Sequence, residues 1–394
     1  MGPNLTREFM LLRHAIQVSR APIAALMAVG VFWGGFSSLV PDIKATVGAS
    51  DRQLGMALVM SAIGGMGATY LVPRLGQILG RYAIPVVALF LVAAFFYLQA
   101  VGSVAALAGA LFFAGASVAM LDITSNVRIS ALESRHGLHL MNVNHAMFSF
   151  AFAGAAFATG LARQKGLSSE QIMPALAVIV AILIIPMCES RAAYGTANSD
   201  SDEPHDGIRP PWTAIILTSI ILFAAFVGEN ATEAWSALHI ERTLGGAPGE
   251  GGYGPTMLGI MMGLGRLSGQ FISQKFGEAR LIFWSAILGV VGAIAIGAAP
   301  TQAAALVGVA IVGLGMAVIV PSVNSILGRL VREDQRSHAI SRAWMFGMLG
   351  FFIGPSAMGF ISEIYGLRVS FFAISVVIAL MIPTVVALGK QERR

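Results

Sequence analysis

Several ionisable residues lie inside long apolar stretches of this 394-residue chain. Asp122 and His145 lie in the first half of the sequence, and Glu229, Glu233 and Arg266 lie in the second half. A charged side chain inside a hydrocarbon layer is costly, so such residues usually mark ion paths, proton relays or ion pairs. We therefore predict that the carboxyl groups and the imidazole exchange protons. Arg266 should pair with a neighbouring acid or hold an anionic ligand.

Helical spacing refines these roles. Asp122 and His145 lie at similar depths, where they could form a proton relay. Glu229 and Glu233 share one helix face and repel each other when both are charged. Glu229 should lie about 10 Å of helix rise from the level of Arg266, so we do not expect the two to pair directly. Structural alternatives stay open: Asp122 as an acid fixed between helices, His145 as a packed core residue, and Glu233 as a group reaching interfacial water.

Amide and aromatic side chains near these charges could bind a polar solute. Asn126 lies one helical turn after Asp122, on the same face. The alternatives are amides that pack helices together and aromatic side chains that anchor helix ends at the membrane interface. The candidates for solute binding are Trp33, Phe36, Asn126, Asn230, Arg266 and Asn324.

Twelve apolar stretches contain nearly all of these candidates. A hydrocarbon core about 30 Å thick requires about 20 helical residues to cross it, and lipid forces the backbone to satisfy its own hydrogen bonds. The chain is 56% hydrophobic and only 11% charged, whereas a soluble domain carries about 25% charged residues. We predict an all-α membrane protein with transmembrane helices at 21–40, 54–72, 82–101, 104–126, 140–161, 172–188, 212–237, 253–273, 281–299, 303–327, 339–361 and 369–388.

The loops predict an orientation and a division into two parts. Most of the 25 lysines and arginines lie in segments on the same side as the N-terminus, which favours cytoplasmic termini in a bacterial inner membrane. The longest polar stretch, 190–211, predicts a flexible cytoplasmic linker. It would separate a six-helix bundle at 1–189 from a second bundle at 212–394.

Short matches recur at a nearly constant separation in the two parts. The separation is 197 or 198 residues, and the matched pairs are Gln77 with Gln274, His145 with Arg342, and Asn126 with Asn324. Six helices of one part therefore follow the same order and direction as six of the other. This pattern indicates a parallel repeat about an axis along the membrane normal.

The loops after the second and eighth stretches contain a partial signature. The first reads Pro73-Arg-Leu-Gly-Gln77-Ile-Leu-Gly80-Arg81. It resembles the major facilitator superfamily signature Gly-x-x-x-Asp-Arg-x-Gly-Arg, with glutamine at the acidic position. The resemblance implies the major facilitator fold, with two six-helix pseudo-repeats, and a gating role for Gln77, Gly80, Arg81, Gln274, Lys275 and Gly277. The missing acids bring the family's usual charged intracellular lock into question.

Two further stretches resemble a narrower bacterial group, the fucose-permease and YbjJ-like branch. Asp122-Ile-Thr-Ser-Asn126 is similar to the acid-x-x-x-Asn pattern on helix 4 of its sugar–proton symporters. Glu229-Asn-Ala-Thr-Glu233-Ala-Trp235-Ser-Ala is similar to the end of helix 7 in the YbjJ-like group. The resemblance implies proton-coupled symport of a small polar solute, either sugar-like or carboxylated.

Other classes of function stay open or are disfavoured. Proton-driven efflux of drugs or metabolites is the main alternative, although 147–160 lacks the proline typical of antiporters. A non-transporting membrane sensor or scaffold is the second. No nucleotide-binding loop, metal-ligand spacing or basic patch is evident, and Cys188 is the single cysteine. We therefore expect no enzyme activity, cofactor, metal or nucleic-acid partner, and a monomer that contacts lipid, a small-molecule substrate and protons.

Overall fold

The computed structural model describes residues 13–138, 140–190, 211–332 and 335–392, apart from the side chains of 270–275 and 337. Twelve long helices dominate this part of the chain, and it contains no β-strand. They are α1 (Arg20–Thr46), α2 (Asp51–Thr69), α3 (Ala83–Gln99), α4 (Val104–His136), α5 (Met141–Gln164), α6 (Ser169–Met187), α7 (Trp212–Leu238), α8 (Tyr253–Phe276), α9 (Glu278–Ala298), α10 (Gln302–Leu330), α11 (His338–Tyr365) and α12 (Leu367–Glu392).

The twelve helices coincide with the twelve predicted crossings. Ten of them, with α3 taken together with the short helix Val72–Leu79 before it, are long and apolar enough to cross a membrane by length and composition. The other two, α2 and α8, are less apolar because glycine and polar residues replace aliphatic residues along them. Both pack against the opposite half of the molecule, so neither needs a fully lipid-facing surface.

The two halves repeat the same local structures. The hydroxyl of Ser103 caps the start of α4, and the hydroxyl of Thr301, 198 residues later, caps the start of α10. Gly80 and Gly277, 197 residues apart, both have positive φ after α2 and α8. A side chain would be strained at these two positions. These repeated features support the predicted pseudo-repeat.

Close helix packing is repeated as well. Gly115 on α4 lies against the backbone of Ser61 on α2, where an added Cβ atom would clash with the Ser61 carbonyl oxygen. Gly313 on α10 lies in the same way against Leu258 on α8, where an added Cβ atom would be 3.0 Å from the Leu258 carbonyl oxygen. Small residues allow such backbone contacts in membranes. Helices α1–α6 form the first bundle, and α7–α12 form the second.

The two bundles approach each other most closely at one end. We call the end where Cys188 and Trp212 lie the linker end, and the opposite end, with the α1–α2 and α7–α8 loops, the distal end. Near the distal end, Gly55 on α2 contacts Pro355 and Gly359 on α11. A side chain at Gly55 or Gly359 would therefore meet the backbone of the other bundle.

Further toward the linker end, glycines of α2 and α8 face helices of their own bundle. Gly64 on α2 lies against Phe112 on α4, and Gly269 on α8 lies against Val318 on α10. A cavity of about 200 Å³ lies in this region, lined by residues that include Asn142, Arg266 and Ser322. The closest contacts between bundles are therefore at the distal end.

Candidate functional site

Arg266 on α8 bridges the two bundles in the middle of the molecule. Its Nη1 donates to the hydroxyl of Ser149 at 2.7 Å and to the backbone carbonyl of His145 at 3.4 Å, both on α5. Its Nη2 reaches Oε1 of Glu229 on α7 at 3.4 Å. One guanidinium group therefore links an acid of the second bundle to the backbone and a hydroxyl of the first.

The predicted ion pair of Arg266 is present, but its partner was not expected. The expectation that Glu229 and Arg266 do not pair directly is wrong. Counting helix rise gives only the heights of the backbone atoms, whereas long glutamate and arginine side chains extend along the helix axes. These side chains bring the two charged groups together. Ser149, which anchors the guanidinium from α5, was also missed, because a serine in an apolar helix gives no distinctive sequence signal.

Glu233 lies one turn beyond Glu229 on α7 and faces α1. α7 extends to Leu238 and continues through a π turn to Thr243, so Glu233 is not at the helix end. It is partly buried between the bundles, where it interacts electrostatically with Glu229. Glu233 therefore lies at the contact between the bundles, away from the end of α7.

Asp122, Asn126 and His145 form a second group between α4 and α5. Asn126 Nδ2 donates to the backbone carbonyl of Asp122 at 2.9 Å. His145 Nε2 lies 3.2 Å from Asn126 Oδ1, an atom that only accepts, so this arrangement requires a protonated Nε2. Asn126 thus stands between the aspartate and the histidine that the sequence placed at similar depths.

The second bundle contains a matching hydrogen bond. Trp344 Nε1 donates to Asn324 Oδ1 at 3.1 Å, between α11 and α10. This pair matches Asn126 with His145, so the structure places Trp344 opposite the histidine. The sequence match had instead selected Arg342, two residues earlier. A difference of one or two residues in loop length shifts such a match without changing the helix packing.

The remaining solute-binding candidates differ in accessibility. Trp33 on α1 is partly buried, whereas Phe36 is only 3% exposed and packs edge-on against Trp33 with ring centroids 5.7 Å apart. Phe36 is therefore a core residue in this conformation, whereas the sequence predicted that its ring contacts a solute. Asn230 donates to the backbone carbonyl of Phe226 at 2.9 Å, which leaves its side-chain oxygen for another partner.

The predicted gating residues lie in two loops at the linker end. Gln77 belongs to a short helix, Val72–Leu79, and Gly80 follows it. Arg81 hydrogen-bonds to the hydroxyl of Tyr82 and stacks on its ring at 4.6 Å. In the second loop, Gly277 precedes α9. The side chains of Gln274 and Lys275, and most of the predicted linker, lie outside the described residues.

A buried arginine joins the bundles at the distal end. Arg163, at the end of α5, forms a bidentate pair with Asp42 on α1, at 2.5 and 2.7 Å. It also contacts Glu241 in the π turn after α7, at 2.5 and 3.0 Å. Its side chain is only 2% exposed. The guanidinium thus connects the first bundle with the second.

The neighbouring Arg242 makes a second connection. It donates to both carboxylate oxygens of Asp51 at 2.6 Å, and Ser362 on α11 also bonds to Asp51. Burial acts to raise the pKa of Asp51, but the hydrogen bonds and the charges of Arg242 and Lys44 outweigh it and hold the pKa below the ordinary 3.8. Glu363 on α11 accepts from the Asp51 backbone N–H at 2.9 Å.

The sequence pattern did not predict this distal network. The charge distribution between loops indicates orientation but not which residues contact each other. The acids that alternate with basic residues in the same loops were the available signal. The partners of Arg163 and Arg242 lie 78 to 191 residues away in the chain, so spacing along a single helix could not identify them.

Comparisons with known proteins agree with this architecture. A sequence model described as Major Facilitator Superfamily matches residues 217–394. An uncharacterised MFS-type transporter of Yersinia pestis is 27% identical over 376 residues, which cover 94% of each chain. Membrane protein MosC of Rhizobium meliloti is 24% identical over 351 residues, covering 88% of this chain and 84% of MosC.

Solved structures show the same fold. A crystal structure of the nucleoside transporter NupG has a TM-score of 0.70 at 12% identity, covering 95% of this chain and 99% of that one. A bacterial homologue of the human lysosomal transporter Spinster, inward-facing and occupied, has a TM-score of 0.72 at 15% identity, covering 98% and 97%. The predicted major facilitator fold is confirmed. The matches support the major facilitator superfamily, a multi-pass membrane protein and the class of secondary transporters, which are not enzymes.

Proposed function

We propose that this protein is a secondary active transporter that moves a small polar solute by alternating access, in symport with protons. The observation that supports this most directly is the grouping of acids from both bundles around one arginine. Asp122 comes from α4, and Glu229 and Glu233 come from α7; all three interact electrostatically with Arg266. An apolar scaffold has no structural need for three such groups at its bundle interface.

The Arg266 bridge suggests how a proton could be coupled to bundle movement. When Glu229 is ionised, it holds Arg266 on the α7 side, while Ser149 holds it on the α5 side. A proton on Glu229 removes the charge that attracts the guanidinium and weakens one half of the bridge. His145 and Asp122, linked through Asn126, provide a second place for a proton near the same arginine.

The orientation follows from the charge distribution. With the positive-inside rule, the linker end is cytoplasmic and the distal end faces outward in a bacterial inner membrane. The described conformation, with bundles joined at the distal end, then corresponds to an inward-facing state. Asp122-Ile-Thr-Ser-Asn126 favours the fucose-permease and YbjJ-like branch, and a monomer provides all of the site.

Candidate solute contacts surround the central charges. Trp33, Asn230 and Asn324 lie on helices of both bundles, so a solute touching them would sense bundle movement. We propose a sugar-like or carboxylated metabolite as the substrate class. Gly80 and Gly277, in the two linker-end loops, would permit the loop geometry needed for opening and closing.

The test uses purified protein in liposomes with an inward proton gradient and a broad solute panel. Solute-dependent proton influx is expected. Asp122→Asn should reduce gradient-driven accumulation to the level of empty liposomes while sparing solute exchange, because exchange needs no net proton release. Glu170→Gln, an exposed acid at the start of α6, is the matched control.

Three outcomes would contradict the proposal in different ways. Unchanged accumulation in the Asp122→Asn variant would remove that residue from coupling. Proton efflux upon drug entry would indicate the antiport alternative. A complete lack of solute movement with a correctly folded protein would favour a sensor or scaffold.

A further inference from the structure

The central charges are unevenly paired. Arg266 directs Nη2 to Glu229 and Nη1 to Ser149 and the His145 carbonyl. Both terminal nitrogens of the guanidinium therefore already contact groups of the protein. Within the described part of the chain, Glu233 forms no ion pair with a lysine or arginine. One carboxyl group at the bundle interface thus lacks a cationic partner of its own.

An unsatisfied hydroxyl lies beside this carboxyl group. Ser37 on α1 is 1% exposed, and its Oγ has no hydrogen-bond partner among the described groups. Ser37 and Glu233 are neighbours, but the Ser37 hydroxyl does not reach hydrogen-bond geometry with the carboxyl group. Leaving a buried hydroxyl unpaired destabilises the folded protein. A group that bonds both Ser37 and Glu233 would remove this destabilisation.

A tryptophan ring lies on the same face of α1 as Ser37. Trp33 and Ser37 are four residues apart on α1, so they share one helix face. Trp33 is partly exposed, unlike the neighbouring Phe36. Tryptophan is the best of the aromatic side chains at attracting a cation to its ring face. The surface formed by Trp33, Ser37 and Glu233, which we call the α1–α7 subsite, therefore joins an acid, a free hydroxyl and a ring.

We propose that the α1–α7 subsite binds the protonated amine of a small solute that also carries hydroxyl groups. This inference rests on the proposed transport function and narrows its substrate class. The ammonium group would contact Glu233 and the ring of Trp33, and an adjacent hydroxyl would bond Ser37. A carboxylated solute fits less well, because it would bring a negative charge next to Glu229 and Glu233 while Arg266 is already engaged.

The test measures thermal stabilisation of the purified full chain by matched probes. Each set shares one carbon frame: glucosamine, glucose and glucuronate, and ethanolamine, ethylene glycol and glycolate. The amine of at least one set should raise the melting temperature at lower concentration than its neutral and acidic counterparts. Glu233→Gln should weaken amine binding roughly tenfold or more, since a hydrogen bond to a charged group contributes about 1.5–3 kcal/mol.

Controls separate this inference from the proposed function. Neutral probes should bind Glu233→Gln and the unmodified protein equally, and Glu170→Gln should leave all binding unchanged. Amines that bind no better than their neutral or acidic counterparts, or fail to stabilise the protein at all, would overturn the inference. Equal losses of amine and neutral binding in Glu233→Gln would do the same. Amine binding without any response of transport to a proton gradient would instead refute proton coupling and leave the subsite intact.

Discussion

Two arginines at opposite ends of the molecule each bridge two carboxylates, yet their surroundings differ. At the distal end, Arg163 is 2% exposed and pairs with Asp42 of the first bundle and Glu241 of the second. At the linker end, Arg329 is 48% exposed, and both of its partners, Glu278 and Glu392, belong to the second bundle. The same chemistry therefore joins bundles at one end and only neighbouring helices at the other.

This difference shows where the charges can hold the bundles together. Arg242 with Asp51 repeats the distal pattern, since it also connects α2 with the segment after α7. Arg128 with Glu189 repeats the linker-end pattern, because both lie in the first bundle. Separation of the bundles at the linker end leaves these within-bundle pairs intact. Separation at the distal end requires breaking pairs in which one partner, Arg163 or Asp51, is shielded from water.

The largest expected effect comes from filling the distal contact between α2 and α11. An added Cβ at Gly359 would clash with the backbone carbonyl of Asp51, which cannot move independently of its helix. Gly359→Val should therefore prevent distal closure and reduce transport in liposomes to background. A Thr243→Cys reporter in a Cys188→Ser background should react faster with a water-soluble thiol reagent.

Gly67 on α2, the other helix of this contact, provides the matched control. An added Cβ there meets nothing within 4 Å, so Gly67→Val should retain transport and slow reporter labelling. Transport at the unmodified rate in Gly359→Val would show that distal closure is not required for turnover.

Helix positions and the central acids were predictable from the sequence because they depend on local pattern. Long apolar stretches fix the crossings, and carboxyl groups such as Asp122 stand out within them. Partner choice was not predictable in the same way. The pairing of Arg266 with Glu229 depends on side-chain reach between two helices. The burial of Phe36 depends on the orientation of α1, which is apolar nearly all round and gives no periodic signal.

The second prediction compares the two bridging arginines directly. Arg163→Gln leaves Asp42 and Glu241 without their cation in a shielded site, and should lower the free energy of unfolding by about 3 kcal/mol. Arg329→Gln should lower it by less than about 1 kcal/mol, because water screens an exposed pair. Denaturant unfolding of both variants in the same detergent measures the difference.

A triple variant shows whether uncompensated charge causes the loss of stability in Arg163→Gln. Adding Asp42→Asn and Glu241→Gln to Arg163→Gln removes the uncompensated charges and should restore part of the lost stability. Equal losses for Arg163→Gln and Arg329→Gln would mean that burial does not distinguish the two ends.

The smallest expected effect concerns pH at the distal end. Asp51 precedes the membrane-crossing part of α2, and its pKa is held below 3.8 despite its burial. A carboxyl group with a lowered pKa in the folded state contributes stability above its ordinary pKa and loses it only as the pH falls through the lowered value. Its pair with Arg242 should therefore persist throughout pH 5–8, roughly the range in which histidine titrates.

The Thr243→Cys reporter measures whether the pair persists. Its labelling should stay constant over this pH range without solute, once the pH dependence of the thiol is corrected with a free cysteine standard. A rise in corrected labelling between pH 7 and 5 that disappears in Asp51→Asn would show that this pair, and not the central acids alone, responds to protons.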